Sequence, residues 1–325
     1  MIEQRILGRT GLRVSALGYG AGAVGGLMVR GTPAEQERSL ATAFAAGITY
    51  VDTAPSYGNG ESERNLGRAL KALKARPVLG TKVRLPAEAR GDIAGAIAAS
   101  LEASLGRLGL NAVDLFQLHD PIGGPGGLTE AQVLEEAVPA MRRLREQGKC
   151  RFLGITALGE EPALRRVLLG GAFDTAQVPY NLLNPSYLGA LPAGLPGQDF
   201  RRLGEAAAAA GVGLIGIRIL AAGALSGEAA RHPVAMQEVA PIATGADAET
   251  DLANARRLLP LVEAGHVASL TEAAIRFVLT RPEIGTALIG TASVAQLETA
   301  IAAARRGPLP REALDRIAAL LPPAA

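Results

Sequence analysis

Tryptophan is absent from this 325-residue chain, cysteine occurs once, histidine three times, and aromatic residues make up 3% of the whole. A single thiol, Cys150, excludes an internal disulfide and any site built from several cysteines. His119, His232 and His266 are too widely spaced to form a metal-ligand pattern. Charge of one sign is also lacking. A formal net charge of +2 offers no electrostatic case for nucleic acid or an acidic membrane surface as partner. The one candidate for a long apolar run, Ala206 to Gly227, carries Arg218 at its centre and is broken by Gly211, Gly213, Gly216 and Gly223. It reads as a helix ending at Gly211, a buried strand over Leu214–Ile219 and a glycine-rich loop. The opening MIEQRILGRTG is charged where a signal peptide would be apolar, so a cytoplasmic location is expected.

What the chain does contain is apolar periodicity. Hydrophobic residues account for 48% and charged residues for 20%, the composition of a soluble protein with a large core. Short apolar runs alternate with amphipathic helical patterns: VSALGYG, ITYVDTA, PVLGTKV, VDLFQLH, CRFLGIT, TAQVPY, GLIGIRI and TALIG. Strands of this kind separated by helices predict an α/β fold, a parallel sheet closed into a (β/α)8 TIM barrel. No boundary interrupts the alternation, so residues 1–325 read as a single domain. RILGRTGLRV predicts an N-terminal β-hairpin turning at Thr10-Gly11 and plugging the barrel bottom. PIGGPGGL, Pro121 to Leu128, reads as a mobile loop. The segment Ser226–Pro260, after barrel strand 7, is too long for an ordinary connection. With the helical pattern ETDLANARRLLPLVEAG it predicts an extended loop and helix acting as a lid or strap.

The densest chemistry lies in VDTAPSYGNGESERNLGRAL, from Val51 to Leu70. Tyr50 and Val51 lead into Asp52 at a strand end. A turn with Pro55, Gly58 and Gly60 follows, then a helix with Leu66, Ala69, Leu70 and Leu73 on one face. Asp52 and Tyr57 therefore stand at the mouth of a strand–loop–helix unit, where barrels keep their chemistry. Two later strands end at Lys82 and His119. A buried Asp–Lys pair is often structural, and a turn tyrosine or a strand-end histidine alone carries little. Their conjunction at one rim points to catalysis. The set resembles the aldo-keto reductase superfamily: D-T-A-x-x-Y-G is matched from Asp52 to Gly58, the strand-end lysine by Lys82, and L-H-x-P by LHDP at His119. The similarity extends from RILGRTGLRVSALGYGAG to GTASVAQLE.

The resemblance implies nicotinamide-dependent interconversion of a small-molecule carbonyl and its alcohol. Such a reduction needs a proton donor beside the carbonyl oxygen, and Tyr57 is the candidate. A free phenol has a pKa of about 10, so bringing it towards 7 requires about 4 kcal/mol. Lys82, aimed by Asp52, is the cation expected to supply this, and neutral His119 the group that orients the oxygen. For the cofactor the resemblance implies NADP(H) ahead of NAD(H), with contacts assigned position by position. Gly20 and Ala21 line the site; Thr156 and Gln177 meet the carboxamide; Ile217 packs on the nicotinamide; Arg218 reaches the pyrophosphate. Gly290, Thr291, Ser293 and Gln296 form the adenosine-phosphate loop at a helix N-terminus.

The chain departs from the family at several of these positions. Thr156-Ala157 replaces Ser-Asn, Ile217 and Arg218 replace an aromatic, and Ala292, Gln296 and Ala300 replace polar or basic residues. The G-x-G-x-x-G at Gly20, Gly22 and Gly25 lacks the helix start of a dinucleotide fingerprint, since the next helix is expected only at Thr32-Pro33. With few aromatics, and Asp120 where relatives place a ring, a small polar or sugar-like substrate is expected. Two other classes stay open on sequence alone: a Schiff-base lyase using Lys82, and a non-catalytic regulatory subunit that binds nicotinamide. Oligomeric state is not legible.

Overall fold

The computed structural model describes residues 1–322. Ten strands run β1 (Gln4–Ile6), β2 (Arg13–Ser15), β3 (Leu17–Gly20), β4 (Tyr50–Asp52), β5 (Val78–Val83), β6 (Val113–Leu118), β7 (Cys150–Thr156), β8 (Thr175–Pro179), β9 (Gly213–Ile217) and β10 (Ile284–Ile289). Strands β3 to β10 close into an all-parallel barrel in sequence order, β10 pairing back onto β3. The helices are α1 (Leu27–Arg30), α2 (Pro33–Ala45), α3 (Glu61–Leu73), α4 (Ile93–Leu108), α5 (Val138–Glu146), α6 (Glu161–Leu169), α7 (Leu203–Ala209), α8 (Ala248–Arg256), α9 (Pro260–Glu263), α10 (Leu270–Leu279), α11 (Val294–Arg305) and α12 (Arg311–Leu320). This is the (β/α)8 barrel with an N-terminal hairpin that the sequence predicts.

Local chemistry sets the boundaries. α2 starts where a capping box is written: the Thr32 hydroxyl accepts from Glu35 N, the Glu35 carboxylate accepts from Thr32 N at 2.9 Å, and Pro33 fills the first turn. The run VSALGYG is not one strand. Val14 and Ser15 belong to the hairpin, paired antiparallel with β1. The Ser15 hydroxyl then donates to Leu17 O at 2.7 Å as the chain turns into the barrel. The hairpin seals the barrel bottom as expected: Leu7, Leu12 and Val14 pack with Tyr50, Leu115, Ile215 and Leu288. Gly213 permits that closeness, because a Cβ there would lie 2.8 Å from the Leu7 backbone.

The apolar stretch 206–227 divides into the end of α7, strand β9 and a 3-10 turn at Ala221–Ser226. Among the described residues no helix is long and apolar enough to cross a membrane. Pro121–Leu128, expected to be mobile, is a closed turn. Gly123 N donates to Leu128 O and Leu128 N to Pro121 O, both at 2.8 Å, while buried Ile122 bridges to Gly159. Burial of Ile122 and Leu128 supplies the anchor that counting glycines overlooks. The long segment after β9 contains α8, capped by Asp247 on Thr250 N. It crosses to the loop after β3, where Met236 N donates to Val24 O at 3.1 Å and Arg30 Nε to Val234 O at 2.6 Å. Strap describes it better than lid.

Candidate active site

Alternation along each strand decides which side chains enter the barrel. On β5, Gly80 and Lys82 point inward, while Thr81 turns out to meet Glu63 of α3 at 2.6 Å. On β6, Leu115 and Gln117 point inward, followed just past the strand end by His119. On β4 the inward pair is Tyr50 and Asp52. These residues meet at the C-terminal mouth.

Asp52 is the hub, 2% exposed. Its Oδ2 is ion-paired with Lys82 Nζ. Its Oδ1 accepts from Gln177 Nε2 at 2.7 Å, Gln117 Nε2 at 2.9 Å and the Tyr50 hydroxyl at 3.2 Å. Burial alone would pull the Lys82 pKa down. The Asp52 charge, the nearby Tyr57 and hydrogen bonds to both outweigh it and hold it above the ordinary lysine value. Lys82 is therefore an ammonium at neutral pH, and it also donates to Thr53 O at 2.8 Å. Its third contact is the Tyr57 hydroxyl at 3.0 Å.

His119 faces Tyr57 edge-on, with ring centroids 6.4 Å apart and an interplanar angle of 89°. Its pKa is pushed down to about 3, chiefly by burial and further by the charges of Lys82 and Arg84, so the imidazole is neutral at physiological pH. Nδ1 lies 2.7 Å from the Thr156 hydroxyl. Thr156 is also 3.4 Å from Gln177 Oε1. A continuous polar chain therefore runs from Lys82 through Asp52, Gln177 and Thr156 to His119.

The four residues singled out for catalysis thus share one site. The expected cofactor contacts divide. Ile217 ends β9 and packs on the inner core one layer above Ile215. Arg218, with φ 55°, follows directly; among the described residues its guanidinium makes one hydrogen bond, to Ala240 O at 3.4 Å. Burial lowers its pKa, and among the described residues no acid pairs with it. Thr156 and Gln177 spend their polar atoms on His119 and Asp52. Gly20 presses against β10, Ala21 N donates to Asp52 O at 2.8 Å, and it is Gly22 that faces the Tyr57 ring. Ser293 and Gln296 are occupied in capping α11: the hydroxyl accepts from Gln296 N at 3.3 Å and the amide oxygen from Ala292 N at 2.8 Å. Thr291 is buried under the β3 loop, where Leu27 N donates to its carbonyl at 3.2 Å. Gly25 fits there because a Cβ would come 2.5 Å from Thr291 N. This loop carries the short α1 before Thr32, a turn of helix the sequence reading did not anticipate. Gly290 lies against the β3 loop at ordinary packing distance, a Cβ built on it coming 3.6 Å from Gly20 O.

Sequence reasoning missed Gln117 and Tyr50. Both stand two residues before a residue it singled out, His119 and Asp52, and period-2 alternation alone places them on the inner face. Asp120 is not a pocket residue. Its carboxylate accepts from Leu85 N at 3.0 and 3.2 Å, holding the ends of β5 and β6 together. Among the described residues no three His, Cys, Asp or Glu side chains cluster as a metal site.

A closed eight-stranded barrel with an acid, an ammonium, a phenol and an imidazole joined at its C-terminal mouth is the architecture of a carbonyl oxidoreductase. The sequence model of the Aldo/keto reductase family matches residues 16–322, and the chain belongs to that family, whose members use nicotinamide cofactors. It is 31% identical to L-galactose dehydrogenase of Arabidopsis thaliana, over 99% of this chain and 95% of that protein. It is 34% identical to D-threo-aldose 1-dehydrogenase of a Pseudomonas species, over 56% of this chain and 63% of that one. An aldo-keto reductase of Bacillus halodurans solved in its holo form shares the fold, with TM-score 0.74 and 23% identity over 100% of this chain and 98% of that one.

Proposed function

We propose that the protein interconverts an aldehyde or ketone and its alcohol, with Tyr57 as general acid in reduction and general base in oxidation. The observation that carries this reading is the 3.0 Å contact between the Tyr57 hydroxyl and Lys82 Nζ, with Asp52 behind the ammonium. A buried cation at that distance stabilises the phenolate that forms as the proton leaves. When bound, the nicotinamide supplies or accepts the hydride. His119 orients the substrate oxygen. The Thr156 hydroxyl, 2.7 Å from Nδ1, holds that ring nitrogen and leaves Nε2 as the one that meets the substrate oxygen, donating to it in the tautomer that carries its proton there.

The residues present fit a dinucleotide. The bare backbone at Gly22, which faces the Tyr57 ring, apolar Ile217 at the mouth and the guanidinium of Arg218, which has no acid partner among the described residues, suit the nicotinamide end and its phosphates. The family habit behind the sequence expectation favours NADP(H). The stretch Gly290–Gln296 contains no basic side chain to grip a 2′-phosphate, which favours NAD(H). The relatives' names, galactose and aldose dehydrogenases, support a small polyhydroxy substrate. A Schiff-base lyase would need Lys82 as a neutral amine, whereas its environment keeps it charged.

The test is an initial-rate comparison of NADH and NADPH over an aldehyde and aldose panel, repeated with Tyr57→Phe. The expected result is turnover that falls about 10²–10⁴-fold in the variant, with cofactor affinity within about twofold. Wild-type turnover retained by Tyr57→Phe would overturn the assignment.

A further inference from the structure

The inner face of β5 and β6 is built in matched layers. Gly80 pairs with Leu115 and Lys82 with Gln117, and the register ends at Val83 opposite Leu118. It is carried one step further by His119 N donating to Val83 O at 2.8 Å and by Leu85 N on the Asp120 carboxylate. The next inward layer is therefore Arg84 beside His119, at the neighbouring-strand spacing of about 4.8 Å. We propose that Arg84 forms an anion subsite for the substrate, and that this substrate is a carbonyl compound bearing a carboxylate or phosphate close to the reacting carbon. The proposal rests on the oxidoreductase reading above and narrows its substrate class.

Three observations support it. Arg84 is exposed at the mouth, and among the described residues none of the ion pairs or side-chain hydrogen bonds at this rim uses its guanidinium. Its neighbours are already committed: Lys82 to Asp52, Arg90 to Gly126 O at 2.5 Å, and Asp120 to Leu85 N. The nearby acid is thus tied down, and two guanidiniums outnumber it. Secondly, the cofactor does not account for this charge. In the barrel order, β5 lies across the mouth from β9 and β10, where Arg218 and the α11 N-terminus sit. Thirdly, the charge of Arg84 reaches His119, where it contributes to the lowered imidazole pKa. A planar guanidinium beside the group that orients the carbonyl matches a carboxylate or phosphate through paired hydrogen bonds.

The experiment uses paired probes: 4-oxobutanoate against butanal, and glyceraldehyde 3-phosphate against glyceraldehyde, with wild type, Arg84→Gln and Arg84→Lys. The expected result is a kcat/KM ratio, anionic over neutral, of about 10 or more for at least one pair. That ratio should fall about tenfold in Arg84→Gln and partly recover in Arg84→Lys. Which pair responds decides between carboxylate and phosphate. A wild-type ratio of one or below for both pairs overturns the proposal, as does a ratio unmoved by Arg84→Gln in a variant with wild-type melting. No turnover of any probe or of the wider aldehyde panel sinks instead the oxidoreductase reading on which it rests.

Discussion

The two sides of the barrel mouth are held by different means. On the side of β4 to β8, side chains define the site. Asp52, Lys82, Gln117, Gln177, Thr156 and His119 interlock, and of their fully buried side-chain polar atoms only Gln117 Oε1 has no partner among the described residues. On the side of β9, β10 and the strap, main chain does the holding. Arginines 30 and 231 grip carbonyls of the segment that crosses the mouth, and α11 is capped by its own first turn. The first side is a rigid, low-dielectric cluster in which each charge depends on its neighbour. The second is a set of separate hydrogen bonds, each worth about 1–3 kcal/mol depending on whether the donor is charged. Chemistry is expected to be fragile on the first and binding adjustable on the second.

The sharpest break in that contrast is Lys82→Met. It removes the cation beside Tyr57 and leaves Asp52 buried without its counter-charge. Activity should fall about 10²–10⁴-fold, and denaturant melts should show a loss of about 3–5 kcal/mol. The double variant Asp52→Asn, Lys82→Met should recover part of the stability and none of the activity. A Lys82→Met protein as stable as wild type would mean that the pair is solvated and the cluster is not the unit described.

A finer cut is Thr156. Thr156→Val removes the hydroxyl that holds His119 Nδ1 and loosens the orientation of the imidazole. kcat should drop about tenfold or more with little change in the cofactor KM, and Thr156→Ser should restore it. If instead the cofactor KM rises and kcat holds, Thr156 serves the carboxamide, as the family resemblance implies. With a His119 pKa of about 3, the wild-type rate profile should show no imidazole limb near pH 6.5. The sign for stability follows: between about pH 6.5 and 3 the unfolded chain binds the proton that the folded site refuses, so stability falls as pH falls through that window.

The contrast also explains what was legible in the sequence. The barrel, the plug and Asp52, Tyr57, Lys82 and His119 could be read because period and strand-end position are local signals. Gln117 was within reach of the same rule and was passed over because an amide announces no chemistry by itself. The cofactor side was harder for a physical reason. Ser293 and Gln296 are the right residue types for a phosphate loop and also for a helix cap, and in the folded chain they cap α11. Likewise nothing local tells that Val234 and Met236 will dock beside Val24 and Arg30, since that contact joins residues more than 200 positions apart. The split of VSALGYG into two strands turns on one serine hydroxyl, a signal that periodicity averages away.

The smallest expected effect tests the strap. Arg231 Nε donates to Met236 O at 2.5 Å and Nη1 to Ala222 O at 2.7 Å, tying the segment back to the turn after β9. Arg231→Gln removes both bonds without touching the polar cluster. If the strap closes over the cofactor, its KM should rise about 3–10-fold, a fraction of the worth of two charge-assisted hydrogen bonds near the surface. kcat should stay within about twofold, or increase if release of the cofactor limits turnover. Amide exchange at Val234 and Met236 should quicken in the same variant, while that of Asp52 and Lys82 stays as in wild type. A large fall in kcat with unchanged KM would mean that the strap shapes the side of the mouth where Tyr57 works, and the division between a chemical wall and a binding wall would have to be redrawn.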